Sequence, residues 1–273
     1  MVRQGPGRQR VRWSYVEALA ERLTDRDWQI IASLDRVRLA TGLQLERLHF
    51  HDLAARSRSV KRWQVLKRLS DARVLLPLER RVGTSRRGSS KLVYVLDSAG
   101  LRLARMHADA EPGERSVRRP REPGERFVAH GLAVTDLYVT LVEQARLGRL
   151  GLEEFLVEAA AYWSNGLGGW IKPDAFVKLL QGDITDYWWY EADLATESLP
   201  TIRTKLLAYL DFVQRGQLGP DGIVPRVLIG VPSAKRQADV QSVINSLPDP
   251  AEVMFAVALI PDVATVMARE LMK

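Results

Sequence analysis

The sequence predicts an α+β to α/β protein of two domains, with three helices, a β-hairpin and a closing helix in the first and a mixed sheet in the second. Three observations predict it. At 273 residues the chain exceeds the usual size of one hydrophobic core. Charge divides it, since residues 1–126 carry 28 Lys/Arg against 15 Asp/Glu whereas residues 127–273 carry 12 against 18. Between the halves, His107 to Arg126 (HADAEPGERSVRRPREPGER) is dense in Pro, Gly and charge and reads as a linker. The expected divisions are a basic flexible tail over 1–22, a first domain over 23–108, a linker over 109–126 and a second domain over 127–273.

Composition narrows the class. Hydrophobic residues make up 46% and charged residues 27%, and no apolar run is long enough to span a bilayer, so a cytoplasmic protein with no membrane partner is expected. The absence of cysteine excludes disulfides and thiolate metal sites. No P-loop, dinucleotide fingerprint or nucleophile elbow occurs, and the glycines of SNGLGGW precede a strand and mark a turn.

In the first domain, Thr24 with Asp27 three residues later opens a helix that carries Trp28, Ile31, Leu34 and Val37 at helical spacing. A shorter helix follows over Leu43–Phe50. A third starts at Ser57 or Ser59 and places Trp63, Leu66 and Leu69 on one face. Val74–Val82 and Lys91–Leu96 are rich in strand formers and flank GTSRRGSS, a hairpin tip, and Ser98–Met106 closes the domain as a helix. This is the pattern of a winged helix-turn-helix. With Trp63 inward, Lys61, Gln64, Lys67 and Arg68 face solvent and Ser57 and Arg58 sit at the helix start. Such a helix can enter the major groove of double-stranded DNA, with Arg86, Arg87 and Lys91 of the wing on the adjacent backbone. A plain solvated basic face is the alternative.

In the second domain, a helix over His130–Leu147 precedes strands at Glu154–Trp163, Ile171–Leu180 and Tyr187–Asp193, with Asn165-Gly166 and Gly182-Asp183 in the turns. A helix over Leu199–Val213, a strand over Arg226–Val231, a helix over Ala234–Ser246, a strand over Val253–Leu259 and a helix over Pro261–Met272 complete it. On strand geometry Glu191 and Asp193 share a side, and a neighbouring strand brings Asp174 near them. Three carboxylates on one sheet edge would suit Mg²⁺ or Mn²⁺. The alternative is a pair of solvated acids on a strand. Trp189 shares the face of Glu191 and is the better aromatic for stacking on a base, with Trp170 nearby, although core packing is the ordinary role of such residues. His130 reads as a cap or core residue.

This order, with Lys172-Pro173-Asp174 followed by Glu191-Ala192-Asp193, resembles the PD-(D/E)XK nuclease-like superfamily. The resemblance implies a metal-dependent endonuclease in which Asp174 and Glu191 hold the metal, and in which catalytic Asp174, Glu191, Asp193 and Lys205 share the site. Here E-x-D replaces E-x-K, so the lysine that steadies the attacking water would come from Lys205 on the following helix, or from Lys172. Glu143 or Glu158 is the candidate for an extra acid.

Over most of its length the chain also resembles the replication-relaxation family of bacterial plasmids and integrative elements, through HGLAVTDLYVTL, WIKPDAFVKL, YEADLATESLPTIRTKLLAYLDF and PRVLIGVP. That resemblance implies a DNA-binding role in mobile-element replication, relaxation or maintenance. The competing expectation is a non-catalytic transcriptional regulator or antitoxin-like protein whose second domain mediates homodimerisation or partner binding.

Overall fold

The computed structural model describes residues 11–81, 92–107 and 124–271. The chain divides into two compact units, Met1–Gly124 and Glu125–Lys273. Among the described residues no helix is long and apolar enough to cross a membrane.

The first unit runs α1 (Trp13–Ala20), α2 (Asp25–Val37), β1 (Leu39–Thr41), α3 (Gly42–His49), α4 (Ala55–Asp71), β2 (Leu75–Arg81), β3 (Leu92–Leu96) and α5 (Ser98–His107). Reciprocal capping boxes fix two of the helix starts. Thr24 and Asp27 exchange side-chain and backbone hydrogen bonds at α2, and Thr41 and Gln44 do the same at α3. The strands form an antiparallel sheet in the order β1-β3-β2, so the expected hairpin gains a third strand. Three residues between two helices carry no strand periodicity of their own, which is why β1 was not foreseen.

Residues 11–22 and Trp63 both depart from expectation. Residues 11–22 do not form a flexible tail, because α1 packs on the unit with Val11 and Val16 buried, Tyr15 Oη donating to Ala72 O and Arg102 donating to Val11 O. Burying two valines and two polar contacts offsets the cost of ordering one short helix. Trp63 does not point inward but is 49% exposed. The inward row of α4 is Arg62, Val65, Leu66 and Leu69, a clean i, i+3, i+4, i+7 set, and buried Arg62 is tolerated there because its guanidinium pairs with Glu46 on α3.

The second unit runs α6 (Glu125–Arg146), β4 (Gly151–Val157), a 3₁₀ turn over Glu158–Ala161, β5 (Trp163–Ser164), β6 (Trp170–Ile171), β7 (Ala175–Gln181), β8 (Ile184–Ala192), α7 (Leu199–Gln214), β9 (Arg226–Val231), α8 (Ala234–Asn245), α9 (Ala251–Met254), β10 (Phe255–Leu259) and α10 (Val263–Glu270). A mixed sheet has the order β10-β9-β8-β7-β4. β10, β9 and β8 are parallel, while β8, β7 and β4 are antiparallel. The strand expected over Glu154–Trp163 ends at Val157, and Asn165-Gly166 closes the separate β5–β6 ribbon instead. Gly182, at φ +58°, supplies the left-handed residue of the tight β7–β8 turn. One face of the sheet carries Phe176, Trp189, Val227 and Ile229 against Ile202, Leu206 and Tyr209 of α7 and Val240 of α8.

Candidate functional site

Asp174 lies at the mouth of β7 and is clamped to β8 from two directions. Its N–H donates to Tyr190 O at 3.0 Å, and its Oδ2 accepts from the Ala192 N–H at 2.8 Å. The remaining oxygen, Oδ1, lies 2.9 Å from His130 Nε2 on α6. Glu191 shares a face of β8 with Trp189, two residues earlier, and therefore faces α7. Lys205 and Tyr209, one turn apart on that helix, both reach it: Nζ is 2.8 Å from Oε2 and the phenol donates to Oε1 at 2.6 Å. Four elements thus bring together two carboxylates, an imidazole, an amine and a phenol.

Burial decides the electrostatics. It pushes the Glu191 carboxyl up to about 8, and the charge of Asp174 adds to the rise against the opposing pull of Lys205. Burial acts the other way on Lys205, but Glu191 and Asp174 outweigh it and hold the amine above its ordinary value. The hydrogen bond that His130 donates to Asp174 raises the imidazole despite partial burial. Burial opposes ionisation of Asp174 too, yet the His130 hydrogen bond, the His130 and Lys205 charges and the Ala192 N–H keep it below the usual carboxylate range.

Asp193 was expected to complete a trio of carboxylates and does not. β8 ends at Ala192, and the Asp193 N–H donates to Gly230 O of the next strand. Its side chain turns to α8, where Oδ2 is 2.6 Å from Arg236 Nε and Oδ1 is 3.2 Å from Arg236 Nη2. Lys172 also stands apart, its amine 5.5 Å from the centroid of the Tyr162 ring. Glu158 opens the 3₁₀ turn after β4, and Glu143 acts on Arg146 at the end of α6. Trp189 is fully buried against Tyr209 and Phe212, so it offers no surface for a base.

Asp174 and Glu191 were the candidates for holding Mg²⁺ or Mn²⁺. Each of their four oxygens already accepts a hydrogen bond, from His130, Ala192, Tyr209 and Lys205. An Mg²⁺ ion asks for about six oxygen ligands. Among the described residues no three His, Asp or Glu side chains converge as a metal-holding group, and Glu191 is only 3% exposed. A cation held by Asp174 and Glu191 would have to share these oxygens with His130, Lys205, Tyr209 and the Ala192 N–H.

In the first unit α4 carries the residues expected to face DNA. Lys61 and Gln64 are exposed, as are Arg56 and Ser59 on the same helix. Lys67 is exposed and pairs with Asp71 at 2.6 Å. The others also make bonds within the unit. Ser57 Oγ donates to Ala54 O, Arg58 Nη2 donates to His51 O and Leu53 O, and Arg68 Nη2 lies 2.6 Å from fully buried Asp27. Arg86, Arg87 and Lys91 fall outside the described residues.

The replication-relaxation family model matches residues 31–227, from α2 to the start of β9. The chain belongs to the replication-relaxation family. The matched stretch of this replication-relaxation protein holds α4 and the whole His130, Asp174, Glu191, Lys205 and Tyr209 cluster, and membership points to the replication and relaxation of mobile elements. No curated protein matches the replication-relaxation chain. His130 was expected only as a cap or core residue and instead pairs with Asp174, while no site role was expected of Tyr209 or Arg236. The i, i+4 spacing of Lys205 and Tyr209 was a readable signal, whereas nothing local marks His130 or Arg236 as partners of acids in distant elements.

Proposed function

We propose that this replication-relaxation protein binds double-stranded DNA through a winged helix-turn-helix in its first unit. Its second unit is a PD-(D/E)XK nuclease-like domain that serves DNA positioning or regulation in the cytoplasm without cutting the strand. The observation that carries DNA binding is the outward row of α4, where Arg56, Lys61, Gln64 and Lys67 stand exposed on a helix pinned to α3 by Arg62 and Glu46. The antiparallel β2 and β3 that follow that helix, joined on the other side of β3 by β1, support the wing. The order of the mixed sheet supports the nuclease-like assignment, and the closed pairing of all three acids with His130, Lys205 and Arg236 supports a role without cleavage. A homodimer would read paired half-sites about one helical turn apart.

A second reading rests on one observation, the meeting of Asp174, Glu191 and Lys205 at one sheet edge, which is the residue set that the nuclease-like fold uses for metal-dependent cleavage. Supercoiled plasmid incubated with the protein in Mg²⁺ or Mn²⁺, with and without EDTA, separates the two. Salt-sensitive gel shifts with the plasmid left supercoiled support the first reading. Nicked or linear product that disappears with EDTA and with Asp174→Ala establishes the second and overturns the first.

A further inference from the structure

The β5–β6 ribbon presents an aromatic side chain to solvent on a braced support. Trp170 is 57% exposed, whereas its neighbour Ile171 is 4% exposed and Lys172 is exposed again. That alternation puts Trp170 and Lys172 on one face. Trp170 pairs with Ser164 across the ribbon, and Lys172 extends its amine over the Tyr162 ring. The ribbon does not stand loose. Asn165 Oδ1 accepts from the N–H groups of Leu167 and Gly169 at 2.9 Å, and Trp163 Nε1 donates to Leu218 O at 2.8 Å.

A rigid tryptophan face held open to water, flanked by a cation on an aromatic ring, has the chemistry of a base-stacking platform. The ring offers a π-face to any base and the amine offers a counter-charge to the adjoining phosphate. A protein partner would equally cover the apolar surface, but it gives no role to Lys172 beside it. We infer that Trp170, Lys172 and Tyr162 form a binding site for unpaired nucleotides of a DNA strand. The chain runs from this platform through Pro173 directly to Asp174, so a strand held there lies on the segment that feeds the carboxylate cluster. The site involves no residue of α4, and duplex binding by that helix can fail while this site stands.

Fluorescence anisotropy of the full chain with a labelled oligothymidylate of about 16 nucleotides, and with a duplex of equal length, tests the inference. Trp170→Ala is expected to weaken single-strand binding by about 5- to 100-fold, and Lys172→Ala to weaken it and flatten its salt dependence. Both should leave duplex affinity within about twofold of wild type, and Trp170→Phe should retain most single-strand affinity. Lys61→Ala serves as the converse control, lowering duplex binding alone. The inference is overturned if the wild-type chain fails to bind the oligothymidylate, or if Lys172→Ala and a folded Trp170→Ala bind it as wild type does. Equal losses on duplex and single strand overturn it too. So does sedimentation showing that Trp170→Ala abolishes self-association while single-strand binding persists, which would make the face an interface between copies.

Discussion

Lys205 Nζ sits 2.8 Å from Glu191 Oε2 while the Glu191 side chain is only 4% exposed, so a buried carboxyl takes its cation from the next helix. Burial nevertheless raises Glu191 to about 8 from an ordinary 4.5. Between those values the folded chain keeps a proton that the unfolded chain has lost. Stability must therefore fall as pH rises across that interval and level off above it. Glu191→Gln should flatten this part of the profile, as read from urea midpoints between about pH 5 and 9. An unchanged slope in the variant would exclude Glu191 as its source.

His130 supplies a second, separable titration. Its pKa is raised by the Asp174 hydrogen bond, so the stability it contributes is complete below 6.5 and lost as pH rises through the raised value. Asp174→Asn should return the imidazole midpoint toward 6.5, followed by NMR of the ring protons. A midpoint that stays put would mean that Asp174 is not the cause.

Two basic residues of α4 should part company when tested. Lys61→Ala is expected to lower duplex affinity and reduce the slope of log affinity against log salt by about 1, with no change in melting temperature. Arg68→Ala leaves fully buried Asp27 without its cation and should cost about 1–2 kcal/mol in denaturant unfolding, discounted because the guanidinium is half exposed. If Arg68→Ala weakens DNA binding without loss of stability, the bracing role given to it is wrong.

Gly100 in α5 abuts Val74, and a Cβ there would lie 2.2 Å from the Val74 carbonyl oxygen. Gly100→Ala must push the helix off β2 and should cost about 1–3 kcal/mol despite alanine's better helix propensity. Calorimetry showing an unchanged or higher melting temperature would refute this contact.

Most elements were legible because their signals are local. Thr24 with Asp27 announces α2, and alternation plus Gly182-Asp183 announces β7 and β8. Lys205 was legible as a cluster member through its resemblance to a nuclease-like pattern, and the structure brings it to Glu191. At Trp63 and Asp193 the deciding partner is non-local. Hydrophobicity alone favours an inward Trp63, but the ion pair to Glu46 lets Arg62 take the buried place. Asp193 was joined to Glu191 by strand alternation that stops one residue too early, and Arg236, 43 positions away, claims it.

The sheet order also bears on how the molecule assembles. A two-residue turn joins β7 to β8, so Asp174 and Glu191 meet through a hairpin that needs little loop closure, and Lys205 follows within the next helix. The parallel pairing of Trp188 with Arg226 must instead close a long crossover, and β10 joins only after another. Asp174, Glu191 and Lys205 are thus joined by short-range closure, whereas His130 and the strands that finish the sheet are brought in by long-range closure.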